Sequence, residues 1–279
     1  MSVEVLDRPP ERLTVPSTDT VSSPGTQLSV VIPAYREAKH IAANLRKLLK
    51  ELDGLGVNYE VIVVSDGNTD DTVIEAERVV SSRVKVVQYN VNMGKGYALH
   101  CGVSRSSGEL VTFIDADMEL DPRYIGAFIA VMEGFECDAV IGSKRHPLSR
   151  VHYPLFRRVQ SFAYQLLIRV LFGLNLRDTQ TGLKVFRRQV LADVLPLLAV
   201  KRFAFDLELL VVARTLGHRK IMEAPVNLDY RFESTVDAGA VWSVLWDTAA
   251  IFYRLRILRY YRRRRKEVLL GEDPAPQTL

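Results

Sequence analysis

Hydrophobic positions in the first half of the chain form short continuous runs separated by longer periodic stretches. Residues 28–34, 60–65, 84–89, 110–114 and 138–142 are apolar and β-branched, with little alternation. Strands read this way when helices cover both faces of a sheet. Between the first two runs, residues 37–52 space Ile41, Leu45, Leu48, Leu49 and Leu52 as one stripe of a helix. Alternating strand and helix at this spacing predicts a mostly parallel α/β sheet with right-handed crossovers and flanking helices. The second half has a different texture. Residues 153–172 and 204–217 predict helices and 220–228 a strand, and from Val241 a Trp- and Tyr-bearing helix runs into a basic tail.

Composition adjusts this picture in three places. Residues 1–26 carry Pro9, Pro10, Pro16 and Pro24 among Ser and Thr and lack the apolar core of a signal peptide, so they read as a disordered tail. Cys101 and Cys137 are the only cysteines, which excludes a disulfide scaffold and favours a reducing compartment. The 254–266 segment, RLRILRYYRRRRK, holds eight of the 37 basic residues and no acidic one, leaving 29 basic against 33 acidic residues elsewhere. That asymmetry calls for an anionic partner. The longest span candidate, 238–253, is short of the ~20 apolar residues needed to cross a bilayer and carries Asp247, so no transmembrane span is expected. The organisation is therefore a tail over 1–26, a catalytic-type domain over 27–236 and an amphipathic, basic segment over 237–279.

Chemistry concentrates where strands end. Asp115-Ala116-Asp117 closes the run Leu110–Ile114. Ligands of open α/β sheets sit outside the carboxyl ends of such strands, and the two-residue strand period aims both carboxylates to one side. Two hard oxygens suit Mg²⁺ or Mn²⁺ on a diphosphate. Alone, an Asp-x-Asp pattern is more often a turn or cap. Three other strand tips change those odds. Pro33-Ala34-Tyr35-Arg36-Glu37 breaks a strand into a helix. Asp66, followed by Gly67, ends another and suits a base or ribose partner, with Asn68 to Asp71 available to cap the next helix. Lys95 lies between Gly94 and Gly96 at a helix start, which is neither a Walker loop nor a dinucleotide fingerprint but favours phosphate. On one sheet edge these four tips describe a nucleotide and its metal.

The ordered stretches VVIPAYRE, VVSDGNTDDT, NMGKGYAL, FIDADMELDP, IGSKR, DTQTGLKVFRR and RFAFDLELL resemble a family 2 glycosyltransferase of GT-A fold over about residues 28–235. Within that group the chain is most similar to dolichol-phosphate or polyprenyl-phosphate sugar synthases. The resemblance implies a Rossmann-like sheet and transfer of mannose or glucose, with inversion, from a GDP-mannose- or UDP-glucose-type donor to polyprenyl phosphate. It implies donor contacts from Pro33, Ala34, Tyr35, Glu37, Asp66, Lys95, Ala116 and Arg231. Asp115 and Asp117 would hold the metal and, with Lys95, serve catalysis. Where the family usually has Gln, Glu119 stands as a third, charged ligand. Where it has a first Asp before Gly67, this chain has Ser65.

Lys144, Arg145, Arg157 and Ser161 match family positions that clamp the lipid phosphate, beside an apolar face of Phe156, Val159, Phe162, Ala163, Leu166 and Leu167. Gln180-Thr181-Gly182 matches as well. Ordinary surface charge is the alternative for the cations. Trp242, Val244, Leu245, Trp246, Ile251, Phe252, Leu255 and Leu258, with the arginines after them, give the pattern of a helix in a bilayer interface. The expectation is a peripheral enzyme on the cytoplasmic membrane face, with no nucleic acid; a helix docked on the catalytic domain and, for RRRRK, nucleic-acid binding are the other readings. A soluble enzyme acting on a saccharide or natural-product hydroxyl is the alternative, and it would need Asp206 or Glu208 as a base.

Overall fold

The computed structural model describes residues 2–6, 26–151, 155–199, 204–228 and 238–270. The strands are β1 (Ser2–Leu6), β2 (Leu28–Ala34), β3 (Tyr59–Asp66), β4 (Val84–Tyr89), β5 (Leu110–Phe113), β6 (Ala139–Ser143), β7 (Lys184–Arg187) and β8 (Ile221–Pro225). They form one sheet in the order β1-β4-β3-β2-β5-β7-β6-β8, parallel except that β7 runs against both β5 and β6. The helices are α1 (Ile41–Asp53), α2 (Thr72–Glu77), α3 (Lys95–Val103), α4 (Tyr124–Phe135), α5 (Leu155–Phe172), α6 (Arg188–Val194), α7 (Phe205–Leu216), α8 (Ala238–Phe252) and α9 (Tyr260–Leu270).

Two apolar layers sandwich the sheet. β2 sends Val30 and Ile32 to one and Val31 to the other, as a strand buried on both faces must. The first layer receives the predicted stripe of α1, Ile41, Leu45, Leu48 and Leu52, with α2 and α4. Each such side chain contributes about 1.5–3 kcal/mol by leaving water. The second receives α3, α5, α6 and α7, together with Ile251 and Tyr261 from the C-terminal helices. The chain leaves β2 for β3 on one side, while β5 pairs with β2 on the other. The order therefore reverses between β2 and β5, and a crevice opens at their carboxyl ends.

Two expectations change. Residues 2–6 are not a tail but a strand at the sheet edge, held by Glu4, whose carboxylate accepts from Arg105 Nε and Nη2 at 2.7 Å each. The open backbone edge of β4 provides partners that composition does not reveal. The other residues of that segment, 7–25, lie outside the described residues. The expected separate segment over 237–279 is described over 238–270, and that part packs on the domain, because Ile251 and Tyr261 are buried in its second core. Its helix is also interrupted: a π-type turn over Tyr253–Ile257 and Arg259, at φ 50°, separate α8 from α9.

Candidate active site

Pro33, Ala34, Tyr35, Glu37, Asp66, Asn92, Gly94, Lys95, Asp115, Ala116 and Asp117 line a cavity of about 480 Å³ at the switch point. Four strand tips meet there, as their spacing predicts. The acidic pair, however, does not continue the strand. β5 ends at Phe113, and Asp115–Met118 is a turn closed by the Met118 amide on the Asp115 carbonyl at 3.0 Å, with Met118 at φ 48°. Asn44 Nδ2 donates to the Ala116 carbonyl at 2.8 Å and braces this turn from α1.

Lys95, the first residue of α3, places Nζ 2.6 Å from Asp115 Oδ1. Burial works against its ammonium, but Asp206, Asp115 and Asp117 outweigh that and raise its pKa. Burial also pushes the Asp117 carboxyl upward; Asp115 and Glu119 add like-charge repulsion against the opposing Glu119 amide and Lys95. Glu37 moves upward for the same reasons, burial first and then Asp117. The cavity wall thus carries more negative charge than Lys95 balances.

Asp66 does not present a free carboxylate. It accepts from Tyr89 Oη at 2.9 Å, the Met93 amide at 2.7 Å and the Gly94 amide at 2.9 Å. It fastens the loop that delivers Lys95, and its edge still lines the cavity. Asp71 stands at the N-cap of α2 without a side-chain cap bond, while Asp70 accepts from the Thr72 amide and hydroxyl, and from the Ala38 amide of the neighbouring loop. The Thr72 hydroxyl in turn accepts from the Glu37 amide at 2.9 Å, which sets the position of Glu37.

On the side of β6, Arg145 Nη1 donates to the Ser161 carbonyl at 2.8 Å and hydroxyl at 3.1 Å. Lys144 Nζ lies 2.8 Å from Glu119 Oε2, and its amide donates to Asp178. Lys144 is thereby tied to Glu119, just after the acidic turn, and Arg145 to Ser161; none of the three lines the cavity. The side chain of Arg157, and Arg231 altogether, lie outside the described residues. Glu119, expected beside the metal pair, is engaged by Lys144. Among the described residues, no group of three or more His, Cys, Asp or Glu side chains is arranged to hold a metal.

The profile of glycosyl transferase family 2 matches residues 29–195, more than half of the chain. The chain belongs to glycosyl transferase family 2. It is 32% identical over 253 residues to the dolichyl-phosphate beta-glucosyltransferase of Homo sapiens, 85% of this chain and 77% of that protein. It is 30% identical over 236 residues to glycosyltransferase AglD of Haloferax volcanii, 83% of this chain and 37% of that protein. It covers 65% of the corresponding Dictyostelium discoideum enzyme, so it spans less than two thirds of some of its relatives. Glucosyl-3-phosphoglycerate synthase of Mycobacterium tuberculosis, solved with Mn²⁺, UDP-glucose and phosphoglyceric acid, has the same GT-A-like fold. Its TM-score is 0.62 at 21% identity, covering 90% of this chain and 86% of that one.

In this family 2 chain, two residues expected as alternative bases are occupied elsewhere. Asp206 is buried against Lys184 Nζ at 2.7 Å. Glu208 is fully buried; it accepts from Tyr261 Oη at 2.5 Å and the Ala199 amide at 3.1 Å, with Arg254 at 3.4 Å. These partners explain why Ile251, Phe252 and Leu255 pack on the core instead of facing a bilayer, correcting their place in the expected interfacial surface. Trp242 and Trp246 remain 69% exposed each. Among the described residues no helix is long and apolar enough to cross a membrane. Sequence reading missed Asn44 and did not assign Asn92 a place in the cavity; the latter's position inside the NMGKG stretch was the available signal.

Proposed function

We propose that this family 2 glycosyltransferase moves glucose from UDP-glucose to a polyprenyl or dolichyl phosphate at a membrane surface. The observation that carries the donor half is the Lys95–Asp115 pair with Asp117 and Glu37 around one cavity at the switch point. The acceptor half is supported by relatives named for dolichyl phosphate and by the cations Lys144, beside Glu119, and Arg145, aligned with Ser161.

The carboxylates suit a divalent cation. Two hard oxygen ligands plus phosphate oxygens of the donor are the usual environment of Mg²⁺ or Mn²⁺, and the upward-shifted Asp117 and Glu37 mark negative charge in need of a counterion. Asp115 and Asp117 would hold the ion, and Glu119 would join them by giving up Lys144. When bound, the ion neutralises charge developing on the departing nucleoside diphosphate. Lys95 holds its ammonium beside that same leaving group and stabilises it from the protein side. Tyr35, Ala34 and the edge of Asp66 form the wall for base and ribose.

Asp206 and Glu208 do not line the cavity, and a phosphate acceptor does not need a general base. A phosphate monoester has its second pKa near ~6, so it arrives mostly ionised. Arg145 and Lys144 have only to position it for in-line attack, which inverts the anomeric centre. The two residues expected to take a hydroxyl acceptor's proton, Asp206 and Glu208, are instead buried against Lys184 and Tyr261. The exposed Trp242 and Trp246, with Arg262, Arg263, Arg265 and Lys266 exposed on α9, support a peripheral association with anionic lipid.

The test is an assay with radiolabelled UDP-glucose and a short polyprenyl phosphate. Label entering an organic-extractable, mild-acid-labile product supports the assignment. Transfer only to water-soluble hydroxyl acceptors, or a trapped covalent glycosyl-enzyme, would overturn it.

A further inference from the structure

The first turn of α7 lies behind both members of the Lys95–Asp115 pair and carries a buried ion pair of its own. Lys184 Nζ reaches Asp206 Oδ1 at 2.7 Å, with side chains 1% and 8% exposed. The same ammonium donates to the Thr181 carbonyl. The following residue, Gly182, lies so close to the acidic turn that a Cβ there would stand 2.1 Å from Asp115 Oδ2. Phe205, the neighbour of Asp206, presses its ring to 2.5 Å from where a Cβ on Gly96 would stand. Gly96 follows Lys95 in α3. Residues 205 and 206 therefore brace the backbone beside each of the two charges, one through an aromatic ring and the other through Lys184 and the Thr181 carbonyl.

Neither Asp206 nor Lys184 lines the cavity, so neither touches substrate from where it stands. As a stability device the pair is a poor choice, because well-packed apolar residues of the same volume serve a core at least as well as two desolvated charges. Its placement supplies what apolar residues would not. The Lys184 ammonium fixes the loop against which Asp115 rests. β7 runs antiparallel between β5 and β6, and that is what puts Lys184 beside the tip of β5.

We infer that Asp206 and Lys184 form a positioning pair, fixing the distance and orientation of Lys95 relative to Asp115 for the donor diphosphate and its metal. The inference rests on the donor reading of the cavity. Asp206→Asn, Asp206→Glu, Lys184→Met and the double variant Asp206→Leu/Lys184→Met are compared with the unmodified chain. UDP binding with Mn²⁺ is measured by calorimetry, and kcat and both KM values by steady-state assay. Removing one member weakens UDP–Mn²⁺ binding and lowers kcat by roughly 10–100-fold, the usual range for partners that orient metal ligands. The acceptor KM stays unchanged, and Asp206→Glu recovers part of the loss.

If a single variant does not fold, the double variant, which leaves no lone buried charge, is expected to show the same donor-side loss. A folded variant that binds UDP–Mn²⁺ as tightly as the unmodified chain overturns the inference. Equal losses in donor binding and acceptor KM would also overturn it, since they mark general damage. An unmodified chain that does not bind UDP–Mn²⁺ overturns the donor reading itself and removes the basis for the pair.

Discussion

The donor edge of the sheet and the C-terminal helices use the same materials, buried acids and aromatic side chains, to opposite ends. At the donor edge polar groups converge from separate strand tips and are held by one another: Asp66 by Tyr89 and two amides, Glu37 through Thr72 and Asp70. The α8–α9 segment is held mainly by apolar packing and by one buried carboxylate, Glu208, and turns its tryptophans outward. The difference is between a site whose geometry is fixed by topology and a surface whose only constraint is amphipathicity. Chemistry requires the first. Contact with a fluid partner tolerates the second.

The largest expected effect lies at the donor edge. Asp115→Ala and Asp117→Ala each lower kcat/KM by about 10²–10³-fold, the loss that follows when one preorganised electrostatic group is removed. Thermal stability holds, and for Asp117→Ala it holds or rises, because burial and the Asp115 and Glu119 charges already oppose its ionised form. Kinetics and a thermal melt on the same samples check both. Turnover retained in either variant would break the metal assignment, and a parallel loss of folding would erase the contrast with the C-terminal face.

The reverse pattern is expected at Glu208. Tyr261→Phe removes a hydrogen bond to a buried carboxylate and costs about 1.5–3 kcal/mol of stability, measured by denaturant unfolding. Donor binding by the folded fraction stays near that of the unmodified chain. A donor-binding defect with intact stability would mean that the C-terminal helices reach the cavity through α7, and the two regions would no longer be separable.

Much of this was legible in the chain because it rests on local signals. The runs at 28–34 and 84–89 are strands with those bounds, and the α1 stripe packs as its spacing dictates. The cavity residues were found because strand tips are marked by a change from β-branched to polar residues. What escaped depended on partners distant in sequence. β7 is too short to declare itself and takes its direction from its neighbours on both sides. β1 exists because β4 offers an unpaired edge. Asp206 and Glu208 have the same sequence signature as free carboxylates, and only Lys184 and Tyr261 reveal that they are committed.

On the acceptor side the expected loss is smaller and selective. Arg145→Ala removes a cation already aligned with Ser161 and raises the KM for polyprenyl phosphate roughly tenfold, about 1.4 kcal/mol. UDP–Mn²⁺ binding is unaffected. A defect in donor binding would assign Arg145 to the nucleotide and move the lipid phosphate elsewhere.

The smallest effect tests the outward face, and the docking of α9 decides how it must be tested. Deleting residues 237–279 would remove Tyr261 from Glu208 and Ile251 from the core, so lost liposome binding could not be told from a damaged domain. Trp242→Ala combined with Trp246→Ala leaves those contacts in place, since both side chains are exposed. The pair contributes roughly 1 kcal/mol to interfacial binding beyond what the basic stripe supplies, so co-sedimentation with anionic liposomes weakens about fivefold. Turnover of a detergent-dispersed short acceptor is unchanged, because nothing at the donor edge has moved. Unaltered co-sedimentation, with or without added salt, would remove α8 from the membrane and leave the aromatic face for a protein partner.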